Sequence, residues 1–134
     1  MITREADYAV RTILFLSRHE ESSSPTTTKT LSEEMHIPYR FLRGIVRILC
    51  KAELVTSRKG KGGGLTLARQ SSLISLKQIL ELFDPRGIAM NGCCVDEALC
   101  ELSAKCPVHN EMVKIQHYLD ETLSSLTFDK IGNV

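Results

Sequence analysis

The chain has 134 residues, with 43% hydrophobic and 25% charged, which fits one globular domain, or a small domain with an appendage, and excludes a disordered or fibrous chain. Its longest purely apolar run, Ile13 to Leu16, falls far short of the roughly 18 residues of a membrane span. The mixed charges of Arg4 and Glu5, with no apolar stretch behind them, exclude a secretory leader, so a cytoplasmic protein with no membrane partner is expected. The net charge of +1 hides an asymmetry: residues 1–70 hold 12 Lys and Arg against 7 Asp and Glu, and residues 71–134 hold 5 against 9. Between Pro38 and Arg69 the basic residues Arg40, Arg43, Arg47, Lys51, Arg58, Lys59, Lys61 and Arg69 face Glu53 alone. Such a run suits a phosphate backbone, although a solvated face is the plainer reading until spacing is considered.

Residues 4–19 place Ala6, Val10, Ile13, Leu14 and Leu16 among charges, predicting an amphipathic first helix capped by Thr3. Glu21 to Thr28 is aperiodic and reads as an exposed loop. Thr30 and Glu33 form a capping-box pair that opens a short helix around Leu31 to Met35, broken by His36-Ile37-Pro38. Pro38 suits the first turn of the next helix, about Tyr39 to Ala52. There Leu42, Ile45, Val46 and Leu49 define a buried stripe, and Arg40, Arg43, Arg47 and Lys51 centre on the opposite side.

Leu54 to Arg58 and Leu65 to Arg69 predict two short strands joined by Lys59-Gly60-Lys61-Gly62-Gly63-Gly64. The loop is no P-loop, because Gly62 rather than Ser or Thr follows Gly60-Lys61, and no dinucleotide loop, because Leu65 stands where the third glycine belongs. Two helices with a tight break, the second basic on one face, followed by a basic hairpin, describe a winged helix-turn-helix. Tyr39, Arg40, Arg43 and Arg47 would enter the major groove, while Arg58, Lys59, Lys61 and the amides of Gly62 and Gly63 would reach phosphates or the minor groove. A flexible surface turn is the bland alternative for the glycine loop.

Ser75 to Phe83 predicts a further amphipathic helix ended by Asp84-Pro85, and residues 86–105 are irregular. From Pro107, the apolar positions Val108, Met112, Ile115, Leu119, Leu123 and Leu126 keep helical spacing over about 20 residues, roughly 30 Å. So long a stripe wants a partner, and a two-fold homodimer reading two half-sites of duplex DNA is the commoner use. The expected organisation is a winged-helix domain over residues 1–84, a ligand-binding loop over 85–106, and a dimerisation helix with a tail over 107–134.

Five cysteines in a chain expected to be cytosolic point to metal or redox chemistry rather than structural bridges. Cys94, Cys100 and Cys106 recur every six residues, and His109 follows in the first turn of the long helix. Thiolates and an imidazole suit an iron-sulfur cluster. A closed zinc site is chemically sound, without the short Cys-x2-Cys spacing common in zinc modules. Free thiols sensing oxidation, with Cys93 and Cys94 as reactive candidates, form the third reading. Cys50 reads as a small buried hydrophobe, and His19, His36 and His117 as ordinary histidines.

Asp7-Tyr8-Ala9-Val10-Arg11 in the first helix, Arg58-Lys59-Gly60-Lys61-Gly62-Gly63-Gly64 at the wing, and the three spaced cysteines occur in the order of one family. Over nearly its whole length the chain resembles the Rrf-type winged-helix regulators, which include IscR-like and NsrR-like iron-sulfur proteins. The resemblance implies a mainly α, homodimeric DNA-binding transcription regulator, a repressor and not an enzyme, whose cluster state, sensing redox conditions, nitric oxide or iron-sulfur status, sets operator affinity. It matches Cys94, Cys100 and Cys106 to cluster ligands. His109 matches the histidine ligand of IscR-like proteins with two-iron clusters, and Asp7 the aspartate that NsrR-like proteins supply from the opposite subunit to a four-iron cluster. His109 and two irons are favoured, because an acid in a first helical turn is already accounted for by the helix dipole. Cys93 has no counterpart and leaves a one-residue shift of the ligand set open. A small iron-sulfur electron carrier, and a cluster-free regulator controlled by thiol oxidation or a partner protein, are the rival classes.

Overall fold

The computed structural model describes residues 2–132. Helix α1, Arg4–Arg18, starts at Thr3, whose hydroxyl oxygen accepts a hydrogen bond from the Ala6 amide at 3.1 Å. Glu5 and Asp7 in its first turn and Arg18 in its last complement the helix dipole. Ala6, Ala9, Thr12, Ile13 and Leu16 form its buried face, and α1 packs against three later helices and one strand.

Helix α2 runs Thr28–Glu34 and is capped by Thr27, not by Thr30 as the sequence pattern predicts. Thr27 has the extended backbone that a cap requires, and its Oγ1 accepts from the Thr30 amide at 3.1 Å. The preceding loop is also more than a connection: Thr26 exchanges both backbone hydrogen bonds with Leu65, at 3.1 and 2.7 Å, and so extends the base of the wing. Helix α3, Tyr39–Lys51, follows Pro38, which stands at the cap position, one residue before the first turn expected for it. Lacking an N–H, Pro38 contributes its carbonyl, which accepts from Phe41 at 2.9 Å and Leu42 at 3.1 Å.

Both helices of this pair end in the same way. After α2 the Ile37 amide donates to Ser32 and the His36 amide to Glu33; after α3 the Leu54 amide donates to Leu49 and the Glu53 amide to Cys50. These are the paired bonds of a Schellman stop, which places the residue after the cap in the left-handed region. Glycine usually fills that position, yet here it holds His36 at φ 53° and Glu53 at φ 58°. A side chain in that region costs roughly 1 to 2 kcal/mol, which the greater freedom of an unfolded glycine partly offsets. Glu53→Gly should therefore raise stability by about 0.5 to 1 kcal/mol and the thermal midpoint by a few degrees. Its exposed ion pair with Arg69, at 4.0 Å, is too weak to reverse the sign. An unchanged or lowered midpoint in calorimetry would count against this account of the helix stop.

Strands β1, Val55–Arg58, and β2, Gly64–Leu67, pair antiparallel with Val55 opposite Leu67 and Arg58 opposite Gly64. Helix α4, Leu76–Phe83, opens with a capping box between Ser75 and Gln78. Residues 92–105 form three short 3-10 turns, and α5, Pro107–Ser125, starts with Pro107 in its first turn. The residues beyond α5, expected to be a tail, instead turn back as α6, Phe128–Gly132. The Phe128 amide donates to Ile74 at 3.0 Å, the Leu76 amide to Leu126 at 2.8 Å, and the Phe128 ring is wholly buried in the core with Ile13, Leu31, Leu42, Leu49, Leu65 and Ile79.

Candidate nucleic-acid interface and cysteine loop

Leu42, Ile45 and Leu49 turn one face of α3 into the core, leaving Arg40, Arg43, Arg47 and Lys51 exposed on the other. Tyr39 at the start of α3 is 50% exposed. Gly44 lies mid-helix near this face, and a Cβ there would meet nothing within 4 Å, so no internal packing demands a glycine.

On the wing, Arg58, Lys59 and Lys61 are exposed, and the tip owes its shape to two kinds of glycine. Gly60 and Gly62 adopt φ 91° and 78°, which glycine takes without strain. Gly63 instead needs the room, because a Cβ would collide with the Arg58 carbonyl. Its amide donates to Gly60 at 3.0 Å, so the hydrogen bond that the sequence reading aimed at a phosphate is engaged inside the wing.

The cysteine loop is built on three short 3-10 turns. Cys94 closes the 3-10 turn Gly92–Cys94, Cys100 follows the turn Glu97–Leu99, and Cys106 follows Ser103–Lys105 and immediately precedes α5. The even spacing of the cysteines is therefore not a strict structural repeat, since Cys94 lies inside its turn whereas Cys100 and Cys106 stand just after theirs. Asn91 caps the Gly92 amide at 2.7 Å, Asp96 caps the Ala98 amide at 2.9 Å, and the Ser103 hydroxyl donates to the Glu97 carbonyl at 3.1 Å. Gln116 of α5 clamps the loop's entry, accepting from the Met90 amide and donating to the Ile88 carbonyl, both at 2.8 Å. Nothing in the sequence singled out Gln116, since an isolated polar residue on a helix carries no pattern.

Cys93, Cys94, Cys100 and Cys106 are free and half-buried. Burial raises the Cys93 thiol above its ordinary value, as does the nearness of the Cys94 and Cys100 thiols. Cys93 is therefore less thiolate-like, not more, than an ordinary cysteine. Burial likewise raises Cys50, which packs against the core from α3. His109, one turn after Cys106, is 7% exposed, and its Nδ1 is buried without a hydrogen-bond partner among the described residues. Its Nε2 lies 3.6 Å from a carboxylate oxygen of Glu97, a neighbour the sequence reading did not identify.

Among the described residues no three His, Cys, Asp or Glu side chains converge where one metal ion could be held. The donor chemistry nevertheless fits a thiolate-rich group: four half-buried thiols stand on one loop, and a buried imidazole at its end has a nitrogen with no partner among the described residues. Asp7 lies elsewhere, on α1, in an ion pair with Arg11 at 2.6 Å.

A helix-turn-helix with an exposed basic second helix and a basic two-stranded wing defines a winged-helix DNA-binding protein. Residues 2–133 match the Rrf2 family, described as iron-dependent transcriptional regulators, and the chain belongs to that family. It is a transcriptional regulator, not an enzyme. It is 24% identical to the transcriptional regulator IscR of Pectobacterium atrosepticum, covering 98% of this chain and 79% of that one. With the transcriptional repressor NsrR of Streptomyces coelicolor it shares 23% identity over 94% of this chain and 84% of that one. The solved structure of CymR, the global cysteine regulator of B. subtilis, has the same fold, with a TM-score of 0.75 at 18% identity, over 99% of this chain and 96% of that one. No helix among the described residues is long and apolar enough to cross a membrane.

Proposed function

We propose that this chain is a homodimeric repressor that binds operator DNA through α3 and the wing and is controlled by an iron-sulfur cluster. The ligands are Cys94, Cys100 and Cys106, with His109 as the fourth and two irons favoured over four. The observation that carries this reading is the buried Nδ1 of His109, without a partner among the described residues, at the end of a loop that presents four thiols. A buried polar nitrogen without a partner costs stability unless something binds it. When bound, the cluster would supply a redox-labile centre held by Cys94, Cys100, Cys106 and His109. Of the expected stripe on α5, Val108 and Ile115 are exposed while Met112, Leu119, Leu123 and Leu126 are half-buried; Val108 and Ile115, with the exposed Val113 and Tyr118, are the side chains that a second copy of the chain covers in the dimer.

A specific observation favours a second reading, control by thiol oxidation without a cluster. Cys93, Cys94, Cys100 and Cys106 are four free, half-buried thiols on one short loop, and among the described residues their side chains do not converge on a single metal position.

Visible absorption of anaerobically purified protein, with iron and sulfide assays, separates these readings and the zinc alternative. The expected result is a sulfide-containing chromophore that Cys94→Ala, Cys100→Ala and Cys106→Ala each abolish while the far-ultraviolet circular dichroism stays unchanged. His109→Ala should shift the spectrum and Asp7→Ala should leave it as it was. Zinc without sulfide would replace the cluster with a closed metal site. Metal-free protein that loses DNA binding on mild oxidation would establish the thiol reading. A chromophore without salt-sensitive DNA binding would point to an electron carrier.

A further inference from the structure

The segment Asp7 to Arg11 is not explained by helix formation alone, because Tyr8 reaches Phe41 of α3 and Arg11 reaches the end of α2. Asp7 holds the Arg11 guanidinium at 2.6 Å, and Arg11 also donates to the Met35 carbonyl, at the end of α2, at 3.4 Å. The same guanidinium lies 5.6 Å from the centre of the Tyr8 ring. That ring meets Phe41 of α3 with centroids 6.4 Å apart, tilted by 46°. Beyond it, the Arg40 guanidinium sits 4.8 Å over the Phe41 ring. Cation, ring, ring and cation thus run in one file from the first helix to the exposed face of α3. Among the described residues Arg40 forms no ion pair, so the Phe41 ring is the contact that restrains its otherwise free side chain.

We propose that Tyr8 and Arg11 are positioning residues for sequence readout by Arg40, although neither lies on the basic face of α3. This rests on the assignment of that face to DNA. A guanidinium already held over a ring loses less conformational freedom when it docks on a base edge, so breaking the stack weakens specific binding more than general phosphate attraction. The magnitude follows from an exposed cation–π contact, about two- to fivefold in affinity per half-site.

A double-mutant cycle tests it, using a duplex selected from a random-sequence library by the wild-type protein, and a scrambled duplex as control. Tyr8→Leu keeps apolar volume and removes the ring face; Tyr8→Phe keeps the ring. Tyr8→Leu should weaken binding to the selected duplex by about two- to fivefold per half-site, leave the scrambled duplex nearly unaffected, and have no further effect in an Arg40→Ala background. Tyr8→Phe should bind like wild type. If Tyr8→Leu unfolds, Phe41→Leu breaks the same stack from its half-exposed side and should give the same pattern. Equal losses on both duplexes, or equal losses with and without Arg40, overturn the proposal. If Arg40→Ala binds normally while Arg43→Ala does not, α3 still reads DNA and the positioning proposal alone fails; if neither matters, the assignment of α3 fails with it.

Discussion

Phe128→Ala should destabilise the protein by about 3 to 5 kcal/mol, a large share of the roughly 5 to 15 kcal/mol that holds a domain of this kind together. Phe128 heads the wholly buried side chains by volume, and it enters the winged-helix core from beyond α5. Its removal leaves a ring-sized cavity where α6 meets α1, and α6 is too short to hold its place without that anchor. The backbone bonds from Phe128 to Ile74 and from Leu76 to Leu126 tie the chain just beyond the end of α5 to the start of α4, so they should loosen together. Urea unfolding of the wild type and the variant measures the loss. A change below about 1 kcal/mol, within the range of a surface substitution, would mean that α6 does not contribute to the core.

The second large effect concerns the division of labour on the proposed DNA face of α3 and the wing. Arg43→Ala should cost about 1 to 3 kcal/mol of discrimination per half-site between a selected and a scrambled duplex, because arginine bonds base edges in a way that differs between sequences. Lys61→Ala should weaken binding to both duplexes alike and reduce the slope of log affinity against log salt by about one unit per subunit, as one phosphate contact is lost. Arg43 is exposed on α3 opposite the buried Leu42, Ile45 and Leu49 stripe, while Lys61 is exposed at a wing tip shaped by Gly60, Gly62 and Gly63. Titrations at several salt concentrations separate the two. Equal losses on both duplexes with unchanged slopes would remove these residues from groove and backbone respectively.

Much of this protein is decided by short-range rules, and those parts are legible in one dimension. Leu42, Ile45 and Leu49 set the buried face of α3 and thereby the direction of its arginines, since residues three and four apart share a helix face whatever surrounds them. The glycine-rich hairpin, the Ser75 to Phe83 helix and the proline start of α5 follow from equally local chemistry. The order of the three cysteines is legible too. Competition between neighbours is less so: Thr27 and Thr30 are both competent caps, and the backbone at Thr27, held beside the Thr26–Leu65 bridge, selects the first. Tertiary structure alone decided that Phe128 returns to the core, that Gln116 clamps the cysteine loop, that His109 is buried beside Glu97, and that Tyr8 of α1 stacks on Phe41 of α3. Each of these joins residues far apart in the chain, where no periodicity links the partners and only the packing of whole elements brings them together.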